Sequence, residues 1–346
     1  MEYRLLCWKD GDCIGEIRRI KSLQWQEKYA DVGEVKLVCA ATDANLEILQ
    51  IGNLLQNTER PSLRAVIRQI EIEDDLKNPQ MTVRAKMTAD RLCERVVMYT
   101  EQIGKAETGM ISILQKNLRG LPLAVAAESG FAERFDGQIS WGSVLDAEKK
   151  IAAVSGLGFC VTADEKQKET FRTYKGIDRT DPARPEYIGF FGDTSGTLAK
   201  IRLVEEDSDT KNIAIVCGKG KGDARSVETV DVSAGMPRRE MYVDADDITL
   251  EYQDADGTQH TWTDAEYRAL LRARGLEKLT QHRGGISFTA ELRQTMLQFA
   301  KDYELGDILP LAVSKYEILA KCRVAQIVMT YEEGKKTVEA VLEVIL

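Results

Sequence analysis

A handful of places in the sequence carry residue types that could do chemistry. The run Gly218-Lys-Gly-Lys-Gly222 has the glycine density of a phosphate-cradling loop. Such a loop, Gly-x4-Gly-Lys-Ser/Thr, must lead into a helix whose end and backbone N–H groups face the phosphates. Here the Lys-Ser/Thr pair is missing and the chain runs on toward another extended segment, so the run reads as a hairpin tip. Two acidic runs, Asp244-Ala-Asp246-Asp247 and Asp254-Ala-Asp256-Gly257, space carboxylates as a calcium loop does. Neither has a Glu at the closing ligand position, and both read as strand-ending turns. His260 and His282 are the two histidines. Neither lies in a His-Glu-x-x-His helix or at zinc-ligand spacing with Cys or Asp. A Cys–His amidase would have to use Cys217 or Cys322 with one of them. Cys217 ends the apolar run NIAIVC, a poor setting for an activated thiolate. Arg238 and Arg239 could bind a carboxylate or phosphate, but adjacent strand positions point to opposite faces. One of them is instead expected to pair with Asp178 or Asp244, within the fold or across a subunit boundary. The sequence therefore predicts no catalytic, cofactor-binding or metal-binding residue, and no enzyme.

The elements around these residues are mostly strands. In residues 1–102, Glu2 to Trp8 and Ile14 to Ile20 flank Asp10-Gly11, a hairpin signal. Glu34 to Ala40 alternates apolar and polar residues, and Leu63 to Glu73 is the longest strand-like run, with Thr82 to Met87 as its partner. Short strands with few helices suggest a barrel or curled sheet. The pattern changes after Thr100. Met110, Ile113, Leu114 and Leu118 share one helical face, as do Val144, Leu145, Ile151 and Val154, with Gly156 as a C-terminal stop. Thr170 to Tyr174, Asn212 to Cys217 and Arg239 to Val243 return to period two. Thr263 and Glu266 form a capping box for a helix from about Asp264 to about Gln281, with a break expected at Gly275. Ile286 to Leu292, Asp307 to Val313, Ile318 to Tyr331 and Thr337 to Ile345 are strands, the last two joined around Glu333-Gly334. Val66, Ile70, Val216, Met241 and Val243 occupy inward positions of these runs.

The chain has 346 residues, 43% apolar and 30% charged, with 56 acidic against 47 basic side chains and a net charge of −9. That length exceeds what one core usually sustains. An acidic balance argues against gripping nucleic acid by its phosphates. No apolar run approaches the ~18 residues of a membrane span, and no signal segment is visible at the N-terminus. The seven cysteines are odd in number and scattered without a Cys-x-x-Cys pair, as expected of reduced thiols assembled in a cytoplasm.

Three blocks in the centre carry a resemblance. Tyr174, Gly176, Asp178, Arg179 and Thr180 form a Tyr-x-Gly-x-Asp-Arg-Thr turn. Lys211, Asn212, Ala214 and Val216 follow as a Lys-Asn-x-Ala-x-Val strand, then Arg238, Arg239, Glu240, Tyr242, Asp244 and Ala245. Near the end, Tyr303-Glu304-Leu305-Gly306-Asp307 is a Tyr-x-Leu-Gly-Asp turn. In their order and spacing these blocks resemble the tail hub (tail-tip, baseplate hub) proteins of siphophages and prophages. The resemblance spans about residues 30 to 346 and is weakest over the first 30 residues and 121–140.

It implies an α+β, β-dominated fold of two β-barrel-like hub domains with an inserted helical subdomain. The corresponding divisions are an N-terminal β-barrel-like domain (1–102), a helical subdomain (103–158) and a central β region completing the N-terminal part (159–247). A hairpin-plus-helix insertion (248–283) and a C-terminal β domain (284–346) follow. The implied function is a homotrimeric ring in the virion tail, joining tail tube to tip. Its partners would be the tail tube, distal tail, tape measure and tip or fibre proteins, with DNA passing through the lumen unbound. Longer members of that family continue into a fibre, spike or lytic domain; with the sequence ending at Leu346, those roles are expected on other chains. Acidic lumen residues are expected among Glu71, Glu73, Asp74, Asp75, Glu332 and Glu333. The alternatives are a host-recognition or carbohydrate-binding component, which would favour clustered aromatics where Trp8, Trp25, Trp141 and Trp262 are scattered, and a cell-wall hydrolase.

Overall fold

Strands form wherever apolar residues alternate, and one of them is long enough to tie the two ends of the chain together. The computed structural model describes residues 3–74, 77–253, 257–282 and 285–345. The chain opens with β1 (Leu5–Lys9), β2 (Asp12–Glu16), β3 (Ile20–Lys28), β4 (Glu34–Ala40), helix α1 (Asp43–Ile48), β5 (Leu54–Asn57), β6 (Ala65–Glu73) and β7 (Gln80–Met87). A 3-10 turn over Thr88–Glu94 leads to β8 (Glu101–Lys105), α2 (Ala106–Asn117), β9 (Ala124–Val125), β10 (Arg134–Ile139), α3 (Val144–Ser155), β11 (Gly158–Ala163) and β12 (Glu169–Tyr174). Then come β13 (Phe191–Gly192), β14 (Leu198–Glu206), β15 (Ile213–Cys217), β16 (Val227–Asp231), β17 (Glu240–Asp244), β18 (Glu251–Gln253) and β19 (Gln259–Thr261). Helix α4 (Asp264–Gln281), β20 (Gly285–Leu292), β21 (Ile308–Val313), β22 (Ile318–Glu332) and β23 (Lys335–Ile345) complete it.

Strand β22 has 15 residues and serves two neighbours along one edge: its first part pairs with β21 and its second with β3. Its other edge pairs with β23, through a register shift between Val324 and Gln326. The result is a 13-stranded sheet in the order β14-β20-β23-β22-β3-β4-β7-β6-β5-β1-β2, with β21 and β13 attached beside β22. The expected β-dominated α+β class is observed, without a closed barrel among the described residues. The N- and C-terminal segments share one sheet, and among the described residues no pairing closes it. Strand β3, which makes the join, was not read from sequence. Its inward residues are Leu23, Trp25 and Glu27, and the carboxylate breaks the apolar alternation.

Apolar side chains gather in three clusters. One fills the large sheet from Leu5 to Leu342. A second holds α2 and α3 against β8, β10, β11 and β12. The third packs α4 on the small sheet β16-β15-β17. Of the inward residues expected there, Val66, Val216 and Val243 are buried, and Ile70 and Met241 are partly buried. No helix among the described residues is long and apolar enough to cross a membrane.

The helix ends follow local chemistry. Ser143 caps α3, and Gly156 ends it in the left-handed region at φ 76°, where a Cβ is disfavoured. Thr263 and Glu266 form both halves of a capping box on α4. At Gly275 the helix continues unbroken. A Cβ there would lie 2.6 Å from Val230 Cγ2 and 2.8 Å from Val216 Cγ2, so the glycine sets how closely α4 approaches its sheet. Helix α2 is pinned by Glu107, 1% exposed. Its carboxylate accepts the backbone N–H groups of Ser129 (2.7 Å), Gly130 (2.8 Å) and Phe131 (2.9 Å) and the Thr173 hydroxyl (2.9 Å). Burial acts to raise its pKa, but these bonds outweigh it and hold the carboxyl below the usual range.

Two outcomes follow. Gly275→Leu overpacks the contact with Val216 and Val230, and urea unfolding followed by circular dichroism should show a loss of about 1–3 kcal/mol. Glu107 has a depressed folded pKa, so its contribution is present above the unfolded-state value near 4.3 and is lost as pH falls through the folded one. Glu107→Gln should therefore lower stability by about 1–3 kcal/mol at neutral pH. It should also flatten the acid limb of the urea midpoint against pH below ~4; an unchanged limb would exclude this role.

Candidate functional site

The residues singled out from sequence fall into two places. Tyr174, which ends β12, and Gly176, Asp178 and Arg179 just after it come beside Gly306 and Asp307, just before β21, at one junction. The contact is between backbones: a Cβ on Gly176 would lie 1.9 Å from the Gly306 carbonyl oxygen and 2.4 Å from the Asp307 nitrogen. Gly306 itself has φ +92°. Asp307, 2% exposed, gathers the strands around one carboxylate. It accepts the Ile177 N–H at 2.7 Å, Arg179 Nε at 2.7 Å and the Glu304 N–H at 3.1 Å. The Arg179 N–H and the Ile308 N–H complete the seam by bonding the Ile308 and Ile177 carbonyls, each at 2.9 Å. Asp178 faces away and caps its own turn, accepting the Thr180 N–H and hydroxyl.

The node of this junction is Tyr29, which sequence reasoning missed. It is 3% exposed at the end of β3. Its backbone N–H bonds the carbonyl of Ala325, the extra residue in the register shift of β22, at 2.9 Å. Its hydroxyl donates to the Gly156 carbonyl at 3.0 Å, and Tyr174 meets its ring edge-on at 5.1 Å. Its ring sits where Cβ atoms on Gly158 or Gly306 would be, 2.4 and 2.2 Å away. Nothing in local spacing links residue 29 to residue 306; the only signal was an aromatic at the end of an alternating run.

Beside the junction opens a cleft of about 560 Å³. Across it Arg60 makes paired bonds to Glu27 (2.9 and 2.8 Å) and to Glu304 (3.2 Å each). Burial pushes the Glu27 carboxyl up, and Arg60 and the Trp25 indole N–H pull it back. Leu63, Val161 and Leu305 supply apolar wall, and Cys160 lines the cleft with its thiol pushed up to about 12 by burial. A thiol so shifted is not a nucleophile at neutral pH. The arrangement can hold segments together and accept an apolar side chain of a partner.

The remaining residues, Asn212, Arg238, Arg239 and Asp244, lie on the small sheet. Asn212 bridges the Pro237 carbonyl and the Arg239 N–H, at 2.9 and 2.7 Å. The expected pairing of Arg238 or Arg239 with Asp178 or Asp244 is not made within the chain. Arg238 pairs with Glu240 and Arg239 with Asp207, while Asp244 takes Arg225. Arg238 takes the neighbour two residues along its own segment, and Arg239 takes the turn after β14 that lies beside it. The other candidates are equally occupied. Gly218–Gly222 joins β15 to β16 and is held to α4 by Tyr267, whose hydroxyl accepts the Lys219 N–H at 2.8 Å. Asp246 meets Lys219 and Asp247 meets Arg274. Residues 254–256 lie outside the described residues. His282 bonds Asp209 at 2.8 Å, and His260 stacks on Tyr252 at 4.8 Å. Among the described residues no three His, Cys, Asp or Glu side chains gather as metal ligands.

Solved structures share this architecture along its length. A tail protein from Neisseria meningitidis MC58 superposes with a TM-score of 0.61 at 11% identity, covering 99% of this chain and 97% of that one. The 43 kDa tail protein of prophage MuSo2 from Shewanella oneidensis gives 0.60 at 9%, covering 98% of each chain. Prophage tail protein gp18 from Listeria monocytogenes EGD-e gives 0.53 at 11%, covering 99% and 94%. The fold is that of phage and prophage tail proteins. The sequence matches the Siphovirus ReqiPepy6 Gp37-like protein family over residues 7–342, and the chain belongs to that tail protein family. No curated protein matches it in sequence.

The junction makes a direct prediction. Asp307→Asn leaves the half-buried Arg179 without its counter-charge, and the urea-unfolding free energy should fall by about 2–4 kcal/mol. A loss below about 1 kcal/mol would show that the seam does not depend on this carboxylate.

Proposed function

We propose that the protein is the hub of a tail tip: a ring-forming, non-catalytic component that joins the tail tube to the tip and lets DNA pass. The carrying observation is the sheet that runs through both ends of the chain and finishes in two edge strands, β2 and β14, each paired on one side among the described residues. Such edges present a row of backbone donors and acceptors that neighbours in a ring would cover. On β14, Leu203 is also left 43% exposed. In this reading three copies assemble, and the two halves of each sheet, on either side of the β22–β3 pair, supply six positions against a six-fold tube. Tube, distal tail, tape measure and tip or fibre proteins are its neighbours in the virion tail, after assembly in the host cytoplasm.

Acidic side chains fit the wall of a passage for DNA, because like charge repels backbone phosphates where basic residues would hold them. Glu71, Glu73, Asp74, Glu332 and Glu333 are exposed and are our candidates for it; Asp75 lies outside the described residues.

Cryo-electron microscopy of assembled tails tests the reading. Three copies in a closed ring, with those carboxylates toward the lumen, is the expected result. A single copy per tail, or a lumen lined mainly by Lys and Arg, would overturn it.

A further inference from the structure

A second cleft, of about 700 Å³, opens where the β1–β2 turn faces Leu121–Ala124 and Gln167–Glu169. Arg64 lines it and is 2% exposed. Its Nε and Nη2 atoms have no hydrogen-bond partner. The guanidinium is held in place: its centre lies 4.5 Å from the Trp8 ring, and the Trp8 indole N–H bonds Gln56 Oε1 at 2.9 Å. Nε and one terminal nitrogen form the side-on fork that takes two oxygens of a carboxylate or phosphate. The Glu169 carboxylate acts on this charge from nearby but makes no hydrogen bond to the fork, and a buried charged fork without hydrogen bonds is unfavourable, a group that native structures satisfy.

The surroundings favour an anion. Lys9, Arg64, Arg91 and Lys168 line the cleft against Asp10 and Glu169, a cationic surplus on a chain of net charge −9. Glu169 is already engaged, Oε2 accepting Arg91 Nη1 at 2.8 Å. Its Oε1 and the Gln167 Oε1 are buried without partners and face the same cleft. They suit a protonated oxygen or a water carried in with the ligand.

We propose that this cleft binds an oxygen anion, a carboxylate or phosphate group, on the Nε–Nη2 fork of Arg64. The site is independent of the hub reading. Its source is either free phosphate or an acidic side chain presented by a partner.

Thermal unfolding of the full chain in phosphate, acetate and chloride at matched ionic strength tests it. Phosphate or acetate should raise the midpoint saturably over chloride, by roughly 2–4 °C. Arg64→Met, which keeps the volume and removes the fork, should lose that rise and be no less stable in chloride. A response to phosphate alone assigns free phosphate, and a response to acetate as well assigns a carboxylate. Lys168→Gln, on the exposed rim, should weaken the apparent affinity several-fold and serves if Arg64→Met does not fold. No saturable rise, an equal rise in Arg64→Met, or unchanged affinity in Lys168→Gln would each overturn the proposal.

Discussion

The close approach of Gly176 to Gly306 is the contact on which the rest of the junction depends. Two backbones touch there with no side chain between them, and the Tyr29 ring fills the space that a Cβ on Gly306 would take. Any Cβ at Gly176 would overlap backbone atoms, which cannot swing aside as a flexible side chain does. That approach brings the Asp307 carboxylate within reach of the Ile177 N–H and Arg179. It also sets the parallel bridge between Asp178 and Ile308. Loss of the glycine contact would therefore undo the ion pair as well as the packing. A buried pair of this kind is weak support for stability in itself, since desolvation offsets much of the attraction. Its geometric effect is stronger: one carboxylate with three donors permits one register of the two segments.

The same node couples the large sheet to the helical layer. Strand β22 shifts register against β23 at Ala325, and on its other edge the Ala325 carbonyl accepts the Tyr29 N–H, carrying the β3 ladder one residue further. β-Bulges commonly mark places where a strand must bend or change partner. Here the strand passes from β21 to β3 along one edge, and the bulge lies at the change. From Tyr29 the hydroxyl reaches Gly156 at the end of α3, and the Tyr29 carbonyl accepts the Phe159 N–H that starts β11. Segments from four distant parts of the chain thus meet within one side chain's reach.

Charged side chains divide by burial in what they do. Glu27–Arg60 and Arg179–Asp307 are largely shielded, with Glu304 reaching Arg60 from the exposed rim, and together they link the first strands, the central turn and the C-terminal segment. Exposed pairs such as Arg238–Glu240 add little free energy, because water screens them. The small sheet follows a middle course: Arg268 and Arg272 from α4 both reach Glu228 on β16, whose carboxylate is 9% exposed. Burial raises its pKa, but the two guanidinium groups outweigh this and hold it low.

Much of the local structure was legible in the sequence. Gly156 marked the end of α3, Thr263 with Glu266 started α4, and Glu333-Gly334 marked the last hairpin, because caps and turns are decided by residues three or four apart. The blocks around Gly176 and Gly306 were visible as separate turns, with no indication that they touch. The tertiary structure alone decided that meeting, the fusion of both chain ends into one sheet through β3 and β22, and the role of Gly275 as a packing position. Each rests on contacts between residues far apart in sequence, 130 positions for Ile177 and Asp307 and 147 for Tyr29 and Gly176. No local period records such a distance; only the folded chain brings those atoms together.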